Sequence, residues 1–170
     1  MPETEPGQQG KEPPKMTTDW SWINAIDTTV ADMYGAVSEQ DVLAAEAAIG
    51  AFPPEYRSFV LAVGTCALYH REYFGVHPGV ELAVDVVGIT LSERTEMERL
   101  LPGHLIAVYN DGGGNIYCVK VDVGDDSDPH RNAVYAWWHD DDSEPELMDE
   151  SFAHWVRSAY EEARAWEASN

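Results

Sequence analysis

Two apolar runs joined by a glycine-rich turn constrain this chain more than any other feature. Leu105-Ile106-Ala107-Val108-Tyr109 and residues 116–121 flank Asn110-Asp111-Gly112-Gly113-Gly114-Asn115. Glycine supplies the positive φ that a tight reversal needs, and each run has strand length, so the spacing predicts a β-hairpin. The first run is apolar without a break, as expected of a strand covered on both faces. The same glycines invite a phosphate-loop reading. They lack the Gly-Lys-Ser/Thr ending and lead into a strand rather than a helix N-terminus, so a tight turn is expected instead.

Helical periodicity appears on either side of this hairpin. Ser38 followed by Asp41 resembles a capping box and predicts a helix to Ile49, with Val42, Ala45 and Ile49 on one face and Gly50 ending it. Pro53 and Pro54 sit where a first helical turn tolerates proline, and Tyr56, Phe59, Val60 and Val63 then recur at helical spacing up to Gly64. Near the end of the chain Phe152, Trp155, Val156, Ala159, Tyr160, Ala163 and Trp166 make one apolar stripe behind Ser151 as the cap. Weaker signals predict a helix over 19–33, strands over 65–70, 82–87 and 133–138, and a short helix capped by Ser92 that carries Met97, Leu100 and Leu101. Helices first, a hairpin-rich sheet next and a closing helix describe an α+β fold with a mixed or antiparallel sheet flanked by helices. The segment 1–18 has almost no apolar content and is expected to be a disordered acidic, proline-rich tail, leaving 19–170 as a single domain.

Charge narrows the function classes. Ten Lys and Arg stand against 31 Asp and Glu, a formal net charge of −21. That argues against a nucleic-acid or anionic-membrane partner, because phosphate binding needs clustered cations. No apolar run approaches the roughly 20 residues that span a bilayer, and the N-terminal residues lack the apolar core of a secretory signal. Cys66 and Cys118 lie in apolar stretches and read as buried thiols of a reducing compartment, so a cytoplasmic protein is expected.

The acids are concentrated. Between 122 and 150 the chain has eleven of them against a single base, Arg131. Ala133-Val134-Tyr135-Ala136-Trp137-Trp138 lies between the two acidic segments. Consecutive tryptophans on a strand face opposite sides, which puts one in the core and leaves the other partly exposed beside the acids, unless both are core. An aromatic anchor rimmed by like charge is a common build for a protein-binding hot spot. His139-Asp140-Asp141-Asp142 offers oxygen ligands, but not at the spacing of an EF-hand and without its glycine, so no metal is expected there. The scattered histidines give no zinc motif, and no nucleophile–base or acid–base constellation converges. No cofactor and no catalytic residue is expected.

Several segments in order resemble a known family. Phe52-Pro53-Pro54-Glu55-Tyr56-Arg57-Ser58-Phe59-Val60 is similar to the LPxxYRxFL helix of the SUKH superfamily, the Smi/Knr-type domain. Tyr73-Phe74-Gly75-Val76-His77-Pro78 resembles its YGI segment. The hairpin, with Asp111-Gly112-Gly113-Gly114-Asn115 and Tyr117-Cys118-Val119, resembles its DGGGNxYC hairpin. Val134-Tyr135-Ala136-Trp137 and Ser151-Phe152-Ala153-His154-Trp155 resemble its VYxW strand and SFxxFL closing helix. Two positions depart from the pattern: Val63-Gly64-Thr65 stands where the family has an asparagine-glycine pair, and the segment before the YGI-like strand is short on glycine.

The resemblance implies a non-catalytic α+β domain. Bacterial members are mostly immunity proteins that neutralise toxin domains, often nucleases, and eukaryotic relatives act as regulatory interaction proteins. The expected partner is therefore a basic cognate toxin, met by a monomer or weak dimer. The expected contacts are Asp125, Asp126, Asp128, Asp140, Asp141, Asp142 and Glu144, with Trp138 as the anchor. The rival readings are a stand-alone regulatory scaffold and, further off, a small-molecule or metal-dependent enzyme.

Overall fold

The computed structural model describes residues 18–78 and 84–170. The tail expected over 1–18 lies, apart from Thr18, outside the described residues. Seven strands form one antiparallel sheet in sequence order: β1 (Ala31–Met33), β2 (Cys66–Leu68), β3 (Arg71–Tyr73), β4 (Leu105–Asn110), β5 (Ile116–Lys120), β6 (Val134–Trp137) and β7 (Glu146–Asp149). The helices are α1 (Ser21–Asn24), α2 (Glu39–Ile49), α3 (Pro54–Val63), α4 (Val86–Thr95) and α5 (Phe152–Ala168). The architecture is α+β, as the pattern predicts.

The centre of the sheet is covered on both sides, so every residue of β6 and the first four of β4 are buried. On one face Trp155 of α5 stacks on Tyr117 with ring centroids 5.6 Å apart and meets the edges of Tyr73 and Tyr109. Phe59 of α3 joins it through Phe152 and Trp20. On the other face α4 lies along β4, where the Ala107 amide donates to the buried Thr90 hydroxyl beside a bulge in the β4–β5 register. Arg94 of α4 donates to the Ile49 and Leu105 carbonyls, tying α2 to the sheet. Cys66 and Cys118 are both buried and free. Burial pushes the Cys66 thiol up to about 12, so it is inert at neutral pH.

The starts of α2 and α5 follow their local signals. Ser38 accepts from the Asp41 amide at the head of α2, and Ser151 accepts from the His154 amide at the head of α5. The starts of α3 and α5 are also locked together over long range. Asn132 Oδ1 accepts the Glu55 amide in the first turn of α3, and Glu55 Oε2 accepts both Ser151 Oγ and the Ala153 amide at 2.8 and 2.9 Å. A carboxylate there also meets the positive end of the α5 dipole. Glu55→Ala removes two charge-assisted bonds and is expected to lower the unfolding free energy by about 2 kcal/mol in urea titrations.

Five expectations need correction. The helix over 19–33 is only the single turn α1, because Thr28, Thr29 and Val30 resist helix and Asp27 closes a turn on the Thr29 amide that delivers β1 to the sheet. The strand over 65–70 ends at Leu68, since Tyr69 turns with φ 55° and the chain returns as β3. The strand over 82–87 fails where it is described: Val86 and Val87 open α4, whose cap is Asp85, accepting from the Gly88 amide at 2.8 Å. Residues 82 and 83 lie outside the described residues. Ser92 is thus inside α4 rather than capping a helix, and the chain after Thr95 unwinds towards Pro102. The stripe of α5 is buried only from Phe152 to Ala159; the last turns flank an open cavity beside β1 and β2 and leave Trp166 68% exposed.

Candidate interaction surface

Strand β6 separates the two acidic segments. The loop before it leaves from the Val134 end and the loop after it from the Trp137 end, so the expected contacts form two groups at opposite ends of one strand.

The first group is organised around Arg131. Its guanidinium grips Asp122 through Nε and Nη2, both at 2.7 Å, and also pairs with Asp126. That guanidinium holds the Asp122 carboxyl below the ordinary carboxylate value. Asp125 accepts the Ser127 amide and hydroxyl, and Asp128 accepts the His130 amide. Asp125 and Asp126 are exposed and Asp128 is half-buried. These acids serve a loop that is partly neutralised from within.

The second group forms no ion pair among the described residues. Arg99 stacks 3.6 Å over the buried Trp137 ring and donates to the Trp138 and Ser143 carbonyls, which pins both ends of the loop through its backbone. Asp140, Asp141, Asp142 and Glu144 are all exposed, and among the described residues only Asp141 is engaged, accepting the Ser143 amide. Trp138 is half-buried, edge-on to Tyr117, with its Nε1 donating to Glu146 Oε2 at 3.0 Å. The alternation therefore buries Trp137 and leaves Trp138 partly exposed. Glu146 begins β7, an edge strand inside the second acidic segment. Its charged ends and Pro145 mark it as a short, guarded edge.

The β4–β5 turn stands at the same end of the sheet. Gly112 and Gly114 have φ of +79° and +96°. Asp111 accepts the Gly113 and Asn115 amides and the Asn115 side chain, and Asn110 accepts the Gly112 amide. Those N–H groups close the turn and do not face outward as an anion cradle. Although burial pushes the Asp111 carboxyl up, these hydrogen bonds hold it below its ordinary value.

Sequence reasoning missed one pair entirely. Glu93 of α4 is 6% exposed, and its Oε2 stands 3.3 Å from Nε2 of His139 without hydrogen-bonding geometry. Burial pushes this carboxyl above its ordinary 4.5, against the pull of His139. Such a group contributes its full stability below the ordinary value and loses it as pH climbs through the raised one. Glu93→Gln is expected to stabilise the fold by about 1 kcal/mol near pH 8 and by less near pH 5, read from melting curves at both.

A cleft of about 470 Å³ opens beside this pair, between α4 and the ends of β3 and β4. Among the described residues no three His, Cys, Asp or Glu side chains converge on a metal position. No described helix is long and apolar enough to cross a membrane. The SUKH_5 family model, described as SMI1-KNR4 cell-wall, matches residues 21–161. No curated protein matches the chain.

Proposed function

The chain belongs to the SMI1-KNR4 family of the SUKH superfamily, and from that premise we propose that it is an immunity-type protein that binds and neutralises a basic cognate toxin rather than catalysing a reaction. The observation that carries this reading is the loop after β6, where a half-exposed Trp138 is flanked by Asp140, Asp142 and Glu144, unpaired among the described residues, on a backbone clamped by Arg99. A preorganised aromatic anchor among like charges costs little ordering on binding. If the toxin is a nuclease, its phosphate-binding cleft is basic, and a carboxylate-rich loop occupies it by imitating the polyanion. The Asp125, Asp126 and Asp128 group contributes long-range attraction more than contact, because it sits at the far end of β6 with Arg131 in its midst. Free buried cysteines agree with a cytoplasmic setting.

The test is the association rate with the toxin domain encoded beside this gene, measured against salt. The rate is expected to fall at least about tenfold between low and physiological ionic strength. A rate indifferent to salt overturns the electrostatic reading, and the absence of any such neighbouring gene and partner favours the stand-alone regulatory scaffold.

A further inference from the structure

The cleft beside α4 mixes apolar and acidic side chains in its lining, with His70 at its β3 side. Phe74, Ile89 and Met97 line it together with Glu72, Glu93 and Asp111. Its volume, about 470 Å³, suits one long side chain or a small ligand. Glu93 is the unusual member. Its side chain is only 8% exposed, and its buried Oε2, 3.3 Å from His139 Nε2, has no hydrogen-bond partner among the described residues. A buried carboxylate left this way is costly and is relieved by a cation reaching it.

We propose that this cleft receives one arginine side chain of the basic partner, its stem along Phe74, Ile89 and Met97 and its guanidinium on Glu93 and Glu72, a proposal that rests on the immunity-type reading above. The choice of cation follows from the walls. A compact divalent ion needs several oxygens at close range, and the acids here do not converge in that way among the described residues. A guanidinium is planar, weakly hydrated and carried on an aliphatic stem, which matches a slot that mixes apolar side chains with spread carboxylates. The cleft opens at the same end of the sheet as the Arg99-clamped loop, and His139 links the two by standing behind Glu93. Trp138 packs on Tyr117 on the α5 face and the cleft lies on the α4 face, so a partner meets both only by reaching across this end of the sheet.

The test is an amide-resolved NMR titration of the full chain at low salt with N-acetyl-arginine amide, set against N-acetyl-norleucine amide and calcium chloride. Saturable shifts are expected at residues 89–97 and 110–112 with the arginine probe. Glu93→Gln, whose fold is read separately from its melting curve, is expected to weaken binding about tenfold, and Glu72→Gln to weaken it less. Equal binding of the norleucine probe, tighter binding of calcium, no saturable shift, or indifference to both variants overturns the proposal. Shifts confined to residues 140–144 sink the cleft while leaving the acidic-loop reading intact. Failure of the salt test above removes the basic partner whatever the cleft binds.

Discussion

Gly75→Ala is expected to leave little folded protein, a loss of more than about 4 kcal/mol. A Cβ at Gly75 would stand 1.8 Å from the Gly64 carbonyl oxygen and 2.6 Å from its carbon. Both are backbone atoms, so no side chain can swing aside. Gly64 has no room to retreat, because its own Cβ position lies 2.1 Å from the Gly35 oxygen and its φ is +76°. Three backbone segments are thus layered in contact: the chain after β1, the C-cap of α3 and the exit of β3. Gly75 also bridges to Asp85, with its amide on the Val84 carbonyl and its carbonyl on the Val86 amide. The same contact therefore positions the start of α4 and with it Glu93. Urea titration and circular dichroism check the expectation, with Gly103→Ala as the control, since a Cβ there meets nothing within 4 Å and its φ is ordinary. A Gly75→Ala protein melting within about 1 kcal/mol of the parent would show that the backbones do not pack this closely.

The YGI-like segment owes its glycine to that contact, which no local pattern displays. Other features are local and were legible. The caps Ser38 and Ser151, the periodic faces of α2 and α3, and the Asp111 turn each act within a few residues, so the sequence alone places them. Strands β1, β3 and β7 were not legible, because three or four residues hold no periodicity and their strand state comes from pairing, as Ala31 with Leu68 or Tyr73 with Tyr109. Val86 and Val87 favour strand by their branching, yet Asp85 caps them into α4 and Val86 is buried there. Some of the candidate surface was legible too. A strand between two acidic segments necessarily parts them, and alternation along it required Trp137 and Trp138 to face opposite ways. The Glu93–His139 pair left no trace in the sequence, because only the docking of α4 on the sheet brings them within 3.3 Å.

Reversing Asp140, Asp141 and Asp142 to lysine is expected to slow capture of the proposed basic partner by about a hundredfold at low salt. Each reversal turns an attractive charge into a repulsive one beside Trp138. The fold is expected to tolerate it within about 1 kcal/mol, because all three side chains are exposed and Arg99 holds the loop by the carbonyls of Trp138 and Ser143. Only Asp141 gives up a bond, to the Ser143 amide. The matching reversal of Asp125, Asp126 and Asp128 is expected to slow capture less and to cost more stability, since Asp126 is bound by Arg131 and Asp125 and Asp128 close turns on Ser127 and His130. Stopped-flow association at two ionic strengths, with a melting curve for each variant, separates charge at the contact from charge at a distance. Equal slowing by both sets would make the attraction a property of net charge alone, and unfolding of the first set would show that its carboxylates serve the fold.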